Sequence, residues 1–121
     1  MKALLKLLIA AFITIIVIGC NGKYTKFKAT IVNDSSSEIT KIEFGMIGVE
    51  DRVSVESLAV GASTESFVFL LKKLEEGEPV PISYGDYSGS YSQKDESKSI
   101  SIPTPAKEIK IKINDDSFQV E

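Results

Sequence analysis

The chain has 121 residues, one domain's worth, and carries a formal net charge of −3. It has no His, no Trp and one Cys, which excludes an internal disulfide and removes both the commonest general base and the commonest transition-metal ligand. The acidic balance argues against nucleic-acid binding, which needs a basic face.

The chain opens on a positive end formed by Lys2, Lys6 and the α-amino group. Leu7 to Ile18 then runs for twelve residues with Thr14 as its one polar position. That length fits the roughly 7–15 residues of a signal-peptide core and falls short of the roughly 18–20 of a permanent membrane helix. With no Gly or Pro inside it, the run predicts a transient helix in the precursor. It plays no part in the fold.

The run ends in Val17-Ile18-Gly19-Cys20, which resembles the lipobox of bacterial lipoproteins, with Val17 where Leu is most usual. The resemblance implies a signal-peptidase site at Val17, Ile18 and Gly19 and cleavage before Cys20. It also implies a diacylglyceryl group on the Cys20 sulfur, often with an N-acyl chain, and no other cofactor. The expected location is a bacterial cell envelope. Asn21 follows the cysteine, where an Asp would signal inner-membrane retention in enteric-type sorting, so the outer membrane is expected in a Gram-negative cell. One acyl chain holds a protein marginally, at about 0.8 kcal/mol per buried CH₂, whereas two or three anchor it stably.

The expected organisation is then a leader over 1–19, a lipidated cysteine and short tether over 20–23, and a domain over 24–121. Loss of Lys2 and Lys6 leaves twelve basic against seventeen acidic residues, a formal charge of −5. A chain of this size buries roughly two-thirds of its unfolded surface and can fold without staples. At roughly 3.3–3.6 Å per residue the tether spans only about 10 Å, so the domain sits against the membrane.

Residues 24–32 alternate, with Phe27, Ala29 and Ile31 on one side and Lys26, Lys28 and Thr30 on the other, as in a half-buried strand. Lys26 and Lys28 read as a strand edge blunted against aggregation, in preference to contacts with anionic headgroups. Asn33 to Ser37 is a turn rich in side chains that bond to local backbone. Residues 39–47 form a second strand with Ile42, Phe44 and Met46 on one face. Val53 and Val55 begin a third, and the opposite parity of Leu58 and Val60 predicts a bulge or bend near Ser57.

Residues 64–77 carry a helix-like spacing at Phe67, Leu70, Leu71 and Leu74. The β-prone Phe67-Val68-Phe69 and the unfavourable Glu75-Glu76 at a helix C-terminus favour a strand over 65–71, covered on both faces. Residues 79–84 and 87–93 read as two short strands or one bent one. A charged turn over 94–98 follows, then a strand at Ile100 and Ile102 ended by Pro103 and Pro105. Residues 107–113 alternate with Ile109, Ile111 and Ile113 inward. The turn at Asn114 to Asp116 resets the register for Phe118 and Val120.

Seven to nine short strands with turns between them predict an all-β fold, an antiparallel immunoglobulin-like β-sandwich. Residues 83–92 combine Tyr, Ser and Gly, a mixture suited to recognition, and make Tyr84, Asp86, Tyr87 and Tyr91 candidates for partner binding. The competing and favoured placement has Tyr84 inward like Ile82, with Tyr87 and Tyr91 as cross-strand aromatics on a solvated face. The acidic pairs Glu75-Glu76, Asp95-Glu96 and Asp115-Asp116 read as solvated turns without metal-loop spacing. No serine sits in a nucleophile motif.

The functional expectation is a non-enzymatic binding or accessory module held at the membrane by its lipid. Its partner would be an envelope protein or ligand, with no role for nucleic acid. The alternative is an inhibitor or immunity-type lipoprotein that blocks an envelope hydrolase or toxin. A carboxylate-based glycan-active enzyme ranks third.

Overall fold

The computed structural model describes residues 22–121. The leader, Val17, Ile18, Gly19 and Cys20 lie outside the described residues. Eight strands follow in order: β1 Tyr24–Asn33, β2 Ile39–Met46, β3 Val53–Leu58, β4 Phe67–Lys72, β5 Tyr87–Gln93, β6 Glu96–Ile102, β7 Glu108–Ile113 and β8 Phe118–Val120. They form two four-stranded sheets, ordered β4-β1-β7-β8 and β3-β2-β5-β6. The described part is an all-β sandwich with no helix.

The core lies between the sheets. Ala29, Ile31, Ile109, Ile111 and Ile113 come from one sheet and Ile42, Phe44, Met46 and Ile100 from the other, all buried. Aromatic rings join the layers. Phe44 stacks on Tyr87 with centroids 5.0 Å apart, and Phe69 meets both rings edge-on. These are the offset and edge-to-face geometries that aromatic quadrupoles favour. Gly89 makes room for this cluster. It pairs with Phe44 across the sheet, and a Cβ there would strike the Glu43 carbonyl oxygen and come within 3.1 Å of Phe44 Cα.

Every strand pairing is antiparallel except β1 with β7, which is parallel. This pairing corrects the expectation of a strand edge for Lys28, which has Val68 on one side and Glu108 on the other; Lys26 pairs with Leu70 alone, and its other side is open.

The parity change at Leu58 is real, and Leu58 is buried opposite Ile39. β3 changes face at Glu56 and Ser57, and the extra residue lies directly across from them on β2. Lys41 has a φ of 51°, and the β2–β5 register shifts between Thr40 and Glu43. One extra residue on β2 rotates its side chains to the other face, which lets Ile39 and Ile42 both point inward.

Two segments differ from expectation. Residues 79–81 are irregular and 82–85 form a turn, because Pro79 and Pro81 have no N–H to give a ladder. Tyr84 N donates to Pro81 O at 3.2 Å and Asp86 N to Ser83 O at 3.0 Å, so a strand begins only at Tyr87. The turn expected over 94–98 shrinks to Lys94-Asp95, both at positive φ, as a two-residue hairpin requires. β6 already starts at Glu96.

Residues 67–72 form a strand, in agreement with the reading of 65–71, but it is covered on one face only. Val68 is 50% exposed and Leu70 49%.

Candidate binding face

The Tyr/Ser/Gly stretch divides by parity. Tyr87, Gly89, Tyr91 and Gln93 face the core, while Ser88, Ser90 and Ser92 face outward. Tyr87 and Tyr91 are 0% and 1% exposed, so neither the recognition surface nor the solvated cross-strand face holds for them. The Tyr87 ring packs against Phe44 and Phe69, and Tyr91 is buried in the same core. Burial pushes the Tyr87 phenol up to about 12 and also raises that of Tyr91.

Tyr84 is half-buried, and its hydroxyl donates to Lys72 O. Asp86 accepts from Thr104 N at 3.0 Å. Both tie loops together at the end of the sandwich where β1 begins. Ile82, expected inward, is 93% exposed.

The outward serines form part of a larger array. In the β5–β6 hairpin Ser88 pairs with Ser101, Ser90 with Ser99 and Ser92 with Ser97. Residues 97, 99 and 101 are all exposed. A serine at every second position of two paired strands puts six hydroxyls on one face. Each is a donor and an acceptor that can rotate to suit a ligand. The period-two serines of β6 carried this signal in the sequence, but the tyrosines drew attention away from it.

Beside the serine array, Lys41, Glu43, Ser54, Glu56, Ser90 and Ser92 line a groove of about 480 Å³. The bulge at Lys41 shapes its floor. Arg52 lies along Gly45 and donates to Ser88 O at 2.8 Å, closing the face at one end. The groove offers carboxylate acceptors, one ammonium and hydroxyls of both senses. That set suits reversible hydrogen bonding to a polar ligand, such as a polyhydroxyl compound or a peptide backbone. Glu43 and Glu56 are both exposed. General acid–base work by a carboxylate pair needs environments that push the two apart, usually by withdrawing one from water.

The opposite end of the sandwich from the chain start is pinned by a buried polar network. Asn33 Nδ2 donates to Ser37 O and Leu58 O, both at 2.9 Å, and its Oδ1 accepts from Ser35 N at 3.0 Å. Gln93 Nε2 donates to Ser35 Oγ at 2.6 Å. The expected local bonding of the 33–37 turn is therefore present, and it reaches across to β3 and β5.

The acidic pairs sit on separate turns, and among the described residues no three acidic or thiol side chains converge as a metal site. Asp115 accepts from Ser36 N at 2.9 Å and Ser36 Oγ at 2.7 Å. Those bonds, the backbone one first, hold its carboxyl below the usual range, with Lys94 and Lys98 adding to the effect.

No family model matches the chain, and no curated protein matches it. Among solved structures it is similar to a protein from Eubacterium rectale determined by NMR. The TM-score is 0.54 at 14% identity, over 84% of this chain and 89% of that one. At that identity the likeness speaks to the fold, and it supports the sandwich.

Proposed function

We propose that this protein is a lipid-anchored module of a bacterial cell envelope that binds a partner through the outer face of the β3-β2-β5-β6 sheet. The observation that carries the reading is the outward face of the β5–β6 hairpin. Serines repeat at every second position on both strands, next to a groove edged by Lys41, Glu43 and Glu56. The lipobox-like end of the leader supplies the anchor, and β1 starts at Tyr24, within a few residues of Cys20. Function then lies in holding a ligand close to the membrane.

The test is photo-crosslinking in the native membrane, with the reactive group placed at Ser90, Ser99 or, on the other sheet, Lys110. The expected result is one adduct from positions 90 and 99, lost on Glu43→Lys, and none from 110. Absence of any adduct from 90 and 99 refutes the binding face. Cys20→Ala should abolish palmitate incorporation, and labelling that survives it refutes the anchor. An adduct to a hydrolase whose activity rises when this protein is deleted would select the inhibitor reading. Glycan hydrolysis lost in Glu43→Gln and Glu56→Gln would select an enzyme.

A further inference from the structure

The outer face of the β4-β1-β7-β8 sheet differs in kind from the serine face. β1 sends Lys26 and Lys28 outward, and β7 sends Lys110 and Lys112 outward, in register as Lys28↔Glu108 and Thr30↔Lys110. β4 adds Lys72, paired with Tyr24, and the apolar Leu70 and Val68, paired with Lys26 and Lys28. Five lysines share this face with Glu108 and with Glu121, which is held by Lys112 at 3.0 Å. The face is thus basic in a chain whose processed form has an excess of acids.

Its apolar residues are open as well. Tyr24 is 40% exposed, and Val68 and Leu70 about half. Lys28 is paired on both sides, so it has no edge to guard. The face also begins where the anchor ends. Its first residue is Tyr24, and the tether back to Cys20 is too short to lift it far from the bilayer.

We infer that the β4-β1-β7-β8 sheet lies flat on an anionic bilayer surface, with its lysines among the headgroups and Tyr24, Leu70 and Val68 at the interface. This rests on the lipid-anchor reading. Lysines extend over headgroups while their stems cover apolar surface, and aromatic rings settle at the interface. Each lysine held near an anionic leaflet contributes a factor of roughly five to association. The excess acid elsewhere on the domain repels the same surface and so selects this face. The serine array then points away from the membrane.

The experiment uses the processed, lipidated protein in phosphatidylcholine vesicles with and without phosphatidylglycerol. A water-soluble acetylating reagent reads each lysine, and mass spectrometry resolves the sites. In the anionic vesicles Lys26, Lys28 and Lys110 should react at least about fivefold more slowly, while Lys41 on the other sheet keeps its rate. High salt should erase the difference. Lys28→Glu with Lys110→Glu should return Lys26 to its rate in neutral vesicles. Equal rates in both vesicles overturn the proposal. So does slowing confined to Lys23 and Lys73, which marks a domain standing on its end. The mass of the Cys20 peptide reports the anchor separately; a chain without lipid there removes the anchor reading and the orientation with it, whereas a lipidated chain with uniform lysine rates removes the orientation alone.

Discussion

Asn33 is the residue whose loss the fold should feel most sharply for its size. It is completely buried, and its side chain donates to Ser37 O and Leu58 O and accepts from Ser35 N and Ser35 Oγ, four bonds in all. Asn33→Ala removes all four and leaves the buried Leu58 O, Ser35 N and Ser35 Oγ without that partner, while Ser37 O keeps its bond from Ser35 Oγ. Each stranded group costs about 1–3 kcal/mol, and neighbours in one network do not add fully, so a loss of about 3 kcal/mol is expected. For a domain this size that lowers Tm by about 12–24 °C. Asn33→Asp is the sharper probe, because shape is kept while both donors become an acceptor facing two carbonyls. At neutral pH it should be at least as damaging as the alanine. Burial raises the carboxyl's pKa in the folded protein above its unfolded value, so its neutral form is favoured there. The deficit should therefore shrink as pH falls from neutral toward the ordinary carboxyl range. Differential scanning calorimetry across pH checks both variants. Asn33→Asp with the parent's Tm at neutral pH would refute the role given to the amide.

Gly89→Ala should cost about 1–3 kcal/mol by overpacking, because the new methyl meets the Glu43 carbonyl on a paired strand that cannot yield; chemical denaturation measures it, and an unchanged midpoint disproves the close approach. The Tyr87 hydroxyl is buried with no hydrogen-bond partner among the described residues. Tyr87→Phe should therefore leave stability equal or raise it by up to about 1 kcal/mol, whereas Tyr87→Ala should unfold the core. The Tyr87 phenol stays neutral in the folded state up to about 12, while the unfolded phenol ionises near its ordinary value of about 10. The unfolded state thus holds fewer protons in that window, and stability should fall by roughly 1.4 kcal/mol per pH unit as pH rises through it. Tyrosinate absorbance in the native protein should show a late-ionising group that disappears in Tyr87→Phe, and the same substitution should remove much of the alkaline loss.

Much of the architecture was legible because alternation survives wherever one face is buried. Ala29 and Ile31, Ile42 to Met46, and Ile109 to Ile113 declare their strands and their inward sides together. The same rule misled at residues 79–84, where Val80 and Ile82 alternate with prolines. Period alone suggests a strand there, but a residue without an N–H cannot join the ladder. The face of Tyr87 and Tyr91 was not legible either. Tyrosine is at home on both sides of a sheet, and for Tyr87 the neighbouring Phe44, Phe69 and Phe27 rings decide for the core. The serine array needed both strands of the hairpin to be aligned before it became visible. The place of β1 inside its sheet was out of reach, since its partner β7 is nearly the whole domain away in sequence and no local pattern announces a pairing of that kind.

The parallel β1–β7 pair also sets the order of events during biogenesis. β1 is the first strand of the described domain, yet one of its two neighbours follows some eighty residues later. Until residues 108–113 arrive, β1 has β4 alone, and half its backbone groups have only water to bond. Pairings so distant in sequence must bear a large loop-closure entropy before they gain anything. The chain is thereby kept from closing this sheet until nearly the whole domain has been made.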